Sequence, residues 1–291
     1  MRTGSYAIPQ EEFDLATTLQ AGQTFLWFTE DEGTLYDGDS HQRYYTTQDD
    51  DVLILWQDGD TIKYKATGGL EKTLEDRFRL HESLESIHER LQGHDSMLDE
   101  ALASYRGLRL VNDPFVPTLI SYLCSVQMRI PRIKKLVNTL AREYGDPVTV
   151  DGTEYLQFPS LEALAGADES ELRDLGVGYR AKYIARTTDQ LTDVDIDPAS
   201  LQTKPYEDAH RTVKQFYGVG DKVADCVLLF GLGYTEAFPI DTWIRSAVED
   251  HYPSYHADKY HGIADNFREV FGDDLGYAQQ YLFHHMRQSE A

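Results

Sequence analysis

An amine and a carboxylate lie near each other in the last third of the chain. Lys222 follows the turn residues Gly218 and Gly220, and Asp241 follows 19 residues later, after a proline. A lysine amine can act as a nucleophile once it has lost its proton, and a carboxylate can stabilise positive charge that develops beside it. The pair indicates a reaction centre.

Two helices joined by a Gly-x-Gly turn must position this pair. Residues 207–216 are predicted to form the first helix, and Asp221 is predicted to begin the second. Glycines let a bulky anion approach the turn, and free backbone N–H groups at a helix start attract negative charge. The turn therefore predicts a phosphate-binding site. Asp241 is predicted to cap a further helix, which carries Trp243 and Ile244.

Residues 1–110 are predicted to form a domain with an antiparallel sheet and trailing helices. Residues 52–56 and 61–65 are rich in β-branched and aromatic residues, and they flank Asp58-Gly59, a strong hairpin signal. Helical character is expected from Leu70 onward.

Residues 111–291 are predicted to form a mostly α-helical domain, so the fold class is α+β with the site in a cleft between the domains. Helix starts are indicated by Asp113-Pro114, by Pro131 and by Pro159-Ser160. Residues 175–178 and 217–220 share a Gly-x-Gly pattern. They can be two contacts along one phosphate backbone or two ordinary helix connections.

Composition bounds the class of protein. The chain has 291 residues, 41% of them hydrophobic, and no run long and apolar enough for a membrane helix or a signal sequence. We expect a cytoplasmic monomer. Cys124 and Cys226 are the only cysteines, which excludes a four-thiolate zinc or iron–sulfur site, and no metal site is predicted.

Four segments in the same order resemble one family of helix-hairpin-helix DNA glycosylases, the 8-oxoguanine DNA glycosylase/lyases. Residues 21–27 (AGQTFLW) resemble the family's SGQSFRW, and residues 175–183 (LGVGYRAKY) resemble LGLGYRARY. Residues 276–283 (GYAQQYLF) resemble GWAQAVLF. The fourth segment is the hairpin itself, with its trailing Pro-Ile-Asp. The matches extend over nearly the whole chain.

The resemblance implies a base-excision enzyme that removes 8-oxoguanine from duplex DNA and then nicks the strand. Lys222 would attack the sugar C1′ and form a Schiff base, and Asp241 would support the charged transition state. No cofactor is implied, although carbonyls of the hairpin can hold a monovalent cation in this family. The partner is double-stranded DNA with a damaged base, which places the protein at the nucleoid.

The resemblance also implies residues that contact DNA and the damaged base. An enzyme that acts on a stacked base must extrude it and fill the gap. Tyr179 would enter the stack, and Arg180 and Arg132 would read the orphan base, which is expected to be cytosine. Implied phosphate contacts come from the hairpin residues Gly218, Gly220 and Val223. The base pocket would comprise Gly22, Cys226, Gln279 and Phe283, with the Gly22 carbonyl accepting the N7 hydrogen of 8-oxoguanine and Gln279 binding its Watson–Crick edge.

Two departures leave alternatives open. Gln127 stands where the family has an asparagine facing the cytosine, and Trp243 stands where it has a histidine. The glutamine at position 127 resembles instead the residue found at this place in the glycosylases for alkylated purines of the 3-methyladenine type. A non-catalytic helix-hairpin-helix DNA-binding module is the other alternative.

The charge balance is unusual for a DNA-binding protein. The chain has 50 acidic and 27 basic residues, a formal net charge of −23. Acidic blocks at residues 30–32, 49–51 and 273–274 are expected on surface turns, a pattern typical of proteins from very salty cytoplasm, which points to a halophilic archaeon. Binding should then depend on backbone donors and a few arginines, since salt screens lysine contacts. The alternative is a mesophilic acidic protein that never contacts DNA.

Overall fold

The structure, a computed structural model, describes residues 1–29, 42–194 and 196–289. It begins with a five-stranded antiparallel sheet in the order β1-β5-β4-β3-β2. The strands are β1 (Arg2–Ala7), β2 (Phe28–Thr29), β3 (Tyr44–Gln48), β4 (Asp51–Asp58) and β5 (Thr61–Ala66). The predicted hairpin is confirmed, because β4 and β5 pair in register from Leu53↔Ala66 to Asp58↔Thr61.

The first hundred residues also contain short helices, which confirms the predicted change after Leu70. They are α1 (Leu15–Gln20), α2 (Leu74–Arg77), α3 (Leu84–Leu91) and α4 (Ser96–Ser104). The acidic run at residues 30–32 lies outside the described residues. Asp49 is exposed in a turn, as predicted, whereas Asp51 is half-buried in β4 and the exposed Asp273 lies in a short 3₁₀ helix.

The rest of the described chain is mainly helical. Its helices are α5 (Phe115–Cys124), α6 (Ile130–Tyr144), α7 (Leu161–Ala165), α8 (Glu169–Leu172), α9 (Ala181–Asp193), α10 (Pro198–Gln202), α11 (Tyr206–Val213), α12 (Asp221–Gly231), α13 (Thr242–His251), α14 (Tyr260–Phe271) and α15 (Leu275–Ser289). A small hairpin, β6 (Val148–Val150) and β7 (Thr153–Tyr155), follows α6. The predicted α+β fold class is confirmed.

Local signals explain most of the helix starts. Pro131 lies in the first turn of α6, and the Ser160 side chain accepts a hydrogen bond from the Ala163 amide at the start of α7. Helix α5 differs from the prediction: Asp113 does not cap it. The Asp113 carboxylate instead accepts a hydrogen bond from the Thr24 hydroxyl and lies 3.9 Å from Arg77, which holds the N-terminal segment against α5.

A contiguous hydrophobic core includes residues from both the sheet and the helices. Trp27 and Phe78 pack at a ring-centroid distance of 5.3 Å, and the buried Tyr281 of α15 belongs to the same core. A second, smaller core packs the other face of the sheet, including Tyr45, against Tyr155 of the β6–β7 hairpin. Because the N-terminal segment and the helices share apolar packing, residues around Gly22 are held against α5 and α15.

Candidate active site

Lys222 is the second residue of α12, and its side chain is half-buried. Its Nζ lies 3.4 Å from Oγ of Ser125 and 5.2 Å from the centroid of the Tyr122 ring. An ammonium group over an aromatic face is attracted by the ring quadrupole. The Tyr122 hydroxyl donates to the carbonyl of Gln23 at 2.8 Å. The amine is therefore partly shielded from bulk solvent and positioned next to the segment that contains Gly22.

Asp241 caps the next helix, α13, as predicted: its carboxylate accepts a hydrogen bond from the Ile244 amide at 3.0 Å. Burial raises the pKa of Asp241, while the Ile244 hydrogen bond and the positive charge of Lys222 lower it. Among the described residues, Asp241 and Lys222 are within electrostatic range but form no direct ion pair. The amine and the carboxylate are thus brought together as separate groups.

Cys226 lies one turn after Lys222 on α12 and is buried. Burial raises the pKa of its thiol to about 12, with smaller effects from Lys222 and Asp241. The thiol is therefore neutral near pH 7, and it offers a polarizable surface rather than a second nucleophile. Cys226 is thus close enough to Lys222 and Asp241 for both charges to affect the pKa of its thiol.

Gly22, in the segment between α1 and β2, lies next to Phe283 of α15. Gly22 has a φ of 83°, and a Cβ added there would lie 2.5 Å from Cδ1 of Ile130, 2.8 Å from Nη1 of Arg287 and 3.3 Å from Cε1 of Phe283. Only glycine fits this position, because the backbone is left-handed and three side chains close in on it.

Gln279 is buried on α15 and faces the segment before Asp241. Its Nε2 donates to the Pro239 carbonyl at 3.2 Å, whereas its buried Oε1 has no hydrogen-bond partner in the described part of the chain. A buried acceptor without a donor is costly, and such an atom is typical of a binding site awaiting a ligand. The neighbouring Gln280 donates to the Ala21 carbonyl at 3.1 Å, which fixes the backbone beside Gly22.

The residues expected at the DNA surface form a second group. Tyr179 is a large hydrophobic residue with 46% of its surface exposed, and its hydroxyl lies 3.2 Å from Oε1 of Gln127. Gln127 is exposed and has a φ of 54°, a left-handed conformation that non-glycine residues rarely adopt. Backbone strain of this kind concentrates at functional sites. Arg132 is exposed on α6.

Arg180 differs from its expected place at the base-reading surface. It is 5% exposed, and its Nε donates to the Val126 carbonyl at 2.8 Å. The guanidinium also lies 4.5 Å from the centroid of the Tyr179 ring. In this structure Arg180 supports the turn that carries Gln127, because the carbonyls of that turn need donors and a buried guanidinium needs acceptors.

The two glycines of the predicted phosphate site have different surroundings. Gly218 has a φ of 88°, and an added Cβ would lie 2.5 Å from Cγ of Tyr183. Gly220 has a φ of −94° and nothing within 4 Å of an added Cβ. No side chain caps α12, and the Asp221 carboxylate pairs with Lys214. The side chain of Val223 is buried, so Val223 can offer DNA only its backbone N–H.

Helix α9 packs against the hairpin and holds its residue Tyr217. The Thr187 hydroxyl donates to the Tyr217 carbonyl at 2.9 Å, and Oε1 of Gln190 accepts from the Tyr217 amide at 2.7 Å. The Arg186 guanidinium lies 4.5 Å from the centroid of the Tyr217 ring. Both Gly-x-Gly segments therefore belong to one packed unit, since α9 directly follows the first of them.

Asp225 anchors a buried polar cluster that the sequence did not reveal. Its two carboxylate oxygens accept hydrogen bonds from the hydroxyls of Tyr206 and Tyr260, both at 2.6 Å. Burial raises the pKa of Asp225 to about 6, against the hydrogen bonds from the two tyrosines, which lower it. The carboxylate is ionised at neutral pH. Asp225 is a structural residue of α12.

Other site residues also escaped the sequence analysis. Ser125 lies two residues before Gln127, but nothing in the sequence indicated that it approaches Lys222. Nothing in the sequence distinguished Tyr122 of α5 and Gln280 of α15 from other residues that pack inside a helical domain. Within the described residues no group of three or more His, Cys, Asp or Glu could hold a metal ion. None of the described helices combines the length and hydrophobicity that a membrane crossing needs.

Two family models match this arrangement. Residues 5–119 match the 8-oxoguanine DNA glycosylase N-terminal domain, and residues 120–272 match the HhH-GPD superfamily base excision DNA repair proteins. The chain belongs to the HhH-GPD superfamily. The match confirms the helix-hairpin-helix prediction, and this HhH-GPD chain has the sheet domain of the 8-oxoguanine enzymes in front of its helices.

Individual relatives agree with this membership. The N-glycosylase/DNA lyase of Saccharomyces cerevisiae is 34% identical over 274 residues, which cover 86% of this chain and 71% of the yeast protein. The N-glycosylase/DNA lyase OGG1 of Arabidopsis thaliana is 30% identical over 295 residues, 94% of this chain and 77% of the plant protein. This HhH-GPD chain is a bifunctional glycosylase/lyase.

A solved structure shares the complete architecture. The 8-oxoguanine glycosylase/lyase of Clostridium acetobutylicum, crystallised with double-stranded DNA containing cytosine opposite 8-oxoguanine, superposes with a TM-score of 0.83 at 27% identity. The alignment covers 96% of this HhH-GPD chain and 93% of the clostridial chain.

Proposed function

We propose that this chain excises 8-oxoguanine from duplex DNA with Lys222 as the nucleophile and Asp241 as the charge-stabilising carboxylate. The observation that carries the proposal is the arrangement of the two groups. The amine of Lys222 lies over the Tyr122 ring, and the half-buried Asp241 carboxylate lies within its electrostatic range without forming a direct ion pair.

The reaction follows from the chemistry of these two side chains. The neutral amine of Lys222 forms a bond to C1′ as the bond from C1′ to the base nitrogen breaks, and the departing base takes up the proton that the amine loses. Asp241 stabilises the positive charge that develops on the sugar. Opening of the sugar ring gives a Schiff base. Loss of a C2′ proton then breaks the C3′–O bond and releases the 3′ strand.

Recognition of the base is proposed to use the free acceptor on α15. Oε1 of Gln279 has no partner among the described residues, and a guanine Watson–Crick edge offers N–H donors to such an atom. The carbonyl of Gly22 is proposed to accept the N7 hydrogen that distinguishes 8-oxoguanine from guanine. Cys226 and Phe283 are proposed to hold the two faces of the ring.

DNA binding is proposed to combine the hairpin with the exposed residues Tyr179, Gln127 and Arg132. The phosphate would meet the backbone donors around Gly220, Tyr179 would fill the gap left by the extruded base, and Gln127 and Arg132 would face the orphan base. Arg180 is proposed to act indirectly, through the turn that it supports.

Borohydride trapping tests the covalent step. Sodium borohydride reduces a Schiff base to a stable amine, so the wild-type protein should become cross-linked to a duplex that carries 8-oxoguanine opposite cytosine. Lys222→Gln should lose the cross-link completely. The matched control Lys72→Gln changes an exposed lysine of the N-terminal domain and should cross-link like the wild type. Absence of a cross-link with every damaged purine would refute the lyase mechanism.

A panel of lesions separates the remaining alternatives in the same assay. Excision of 3-methyladenine in preference to 8-oxoguanine would place the chain with the alkylated-purine enzymes, as Gln127 allows. Tight binding to DNA without any excision would indicate a binding module. We expect 8-oxoguanine to be the preferred substrate, because Lys222 and the acceptor of Gln279 are both retained.

We also propose a cation site, an oligomeric state and a location in the cell. The hairpin can hold a monovalent cation: the Phe216 carbonyl accepts one hydrogen bond, from the Val219 amide at 3.1 Å, and a carbonyl has a second lone pair. Such an ion would neutralise phosphate charge and takes no part in bond breaking. We propose that the protein acts as a monomer, in the cytoplasm and at the nucleoid.

A further inference from the structure

Tyr260, the first residue of α14, connects the helix of the nucleophile to the segment of the carboxylate. Its hydroxyl donates to Oδ2 of Asp225 at 2.6 Å, and Asp225 lies on α12 one turn after Lys222. The same hydroxyl oxygen accepts a hydrogen bond from the Ile240 amide at 3.1 Å. Ile240 directly precedes Asp241.

The geometry makes this bridge specific. A tyrosine hydroxyl carries one hydrogen, and that hydrogen goes to the ionised Asp225 carboxylate, the shorter of its contacts. The Phe238 carbonyl lies 3.1 Å from the same oxygen, so the hydroxyl contacts the backbone on both sides of Pro239. No hydrogen bond between backbone groups of α12 and residues 238–241 is found in the described chain.

We propose that Tyr260 is a positioning residue for the catalytic carboxylate: by joining Asp225 to the Ile240 amide, it sets the distance between Asp241 and Lys222. The inference rests on the proposed function of these two residues. A small displacement of a catalytic group can lower the rate strongly: a misplacement of about 1 Å can cost about 100-fold.

Tyr206 provides a matched control within the same cluster. Its hydroxyl donates to the other oxygen of Asp225 at 2.6 Å, and within the described chain it forms no hydrogen bond with residues 238–241. Tyr206→Phe and Tyr260→Phe each remove one hydrogen bond to the same carboxylate. Only Tyr260→Phe removes the acceptor of the Ile240 amide.

The experiment measures single-turnover excision of 8-oxoguanine and the Kd for the lesion duplex in both variants. Tyr260→Phe should slow excision about tenfold with Kd within about twofold of the wild type, while Tyr206→Phe should keep the wild-type rate. Equal rates in the two variants would refute the proposal.

A double-mutant comparison shows whether Tyr260 acts through Asp241. In an Asp241→Asn background no catalytic carboxylate remains to be positioned, so Tyr260→Phe should cause no further loss of rate. A further tenfold loss would contradict the inference and leave the roles of Lys222 and Asp241 intact. If Tyr260→Phe does not fold, Asp225→Asn replaces it: the amide puts an N–H donor where one carboxylate oxygen accepted a tyrosine hydroxyl, which perturbs the bridge, and the same dependence on Asp241 is expected.

Discussion

The hairpin offers a pair of substitutions that separates folding from phosphate binding. Gly218→Ala forces alanine into a φ of 88°, and its Cβ would lie 2.5 Å from Tyr183. The left-handed conformation costs about 1–2 kcal/mol, and overpacking adds about 1–3 kcal/mol. We expect the free energy of unfolding to fall by about 2–5 kcal/mol.

Gly220→Ala should behave differently. The φ of −94° is accessible to alanine, and an added methyl meets nothing within 4 Å. Alanine restricts the unfolded chain but is a poorer helix cap than glycine, and these effects leave stability within about 1 kcal/mol of the wild type. The methyl would, however, occupy the space through which a phosphate reaches the α12 amides. Losing one charge-assisted hydrogen bond, about 1.5–3 kcal/mol, weakens DNA binding about 10- to 100-fold.

Urea unfolding and fluorescence anisotropy with a duplex at fixed salt measure the two quantities. Gly220→Ala should lose affinity with nearly unchanged unfolding, and Gly218→Ala should lose stability. Wild-type affinity in Gly220→Ala would show that phosphate does not approach this turn. Repeating the binding across salt concentrations also tests the halophile interpretation, because contacts through backbone amides give a shallower dependence on salt than contacts through lysines.

Three other predictions follow from the site. Asp241→Asn should keep the cap on Ile244 and hence the free energy of unfolding, but it should slow excision about 100-fold or more. Because burial raises the pKa of Asp241 above its ordinary value of 3.8, the wild-type rate should decline on acidification at a pH above 3.8. A pH–rate profile of the variant should lack this decline. Tyr179→Ala should change the free energy of unfolding by less than about 0.5 kcal/mol, since the ring is largely exposed, while slowing excision from duplex more than from single-stranded DNA. The pKa of Asp225 is about 6 in the folded protein and 3.8 ordinarily, so the folded state binds the proton more tightly than the unfolded state. The stability contributed by this proton is lost as pH rises from about 4 to about 6. Urea unfolding should show this fall in the free energy of unfolding in the wild type and not in Asp225→Asn.

Much of the fold could be predicted because it depends on local signals. The Asp58-Gly59 turn defined the β4–β5 hairpin, and proline or serine at the first turn located α6 and α7. The start of α5 was assigned correctly for the wrong reason: Asp113 is committed to a long-range contact with Thr24, which no local pattern reveals.

The candidate site was predictable to the extent that one short segment carries it. Asp241 directly precedes the helix that follows α12, so the spacing indicated the pair of Lys222 and Asp241, whereas Cys226 was expected only from the family resemblance. Arg180 shows the limit of this reasoning. Its direction depends on the carbonyl of Val126, 54 residues away, and such a contact exists only after folding.

The support beneath Lys222 was hidden for the same reason. Tyr122, Ser125 and Tyr260 reach the site from other helices, and the Asp225 cluster is formed by α11, α12 and α14 together. Tyrosines in a helical pattern are normally core residues; Tyr122 and Tyr206 are buried in the core, and Tyr260 is half-buried against it. Their hydroxyl groups acquire meaning only through partners distant in sequence.

The hydrogen bond from Tyr122 to Gln23 bears on how this chain can be shortened. The Tyr122 ring next to Lys222 is held by an acceptor in the N-terminal domain, and Gln280 of α15 donates a hydrogen bond to the same segment at Ala21. Deletion of residues 1–110 would therefore remove the acceptor of the Tyr122 hydroxyl and the backbone carbonyl that Gln280 binds. A shortened chain that keeps these contacts must retain residues 21–23 together with the N-terminal domain that contains them.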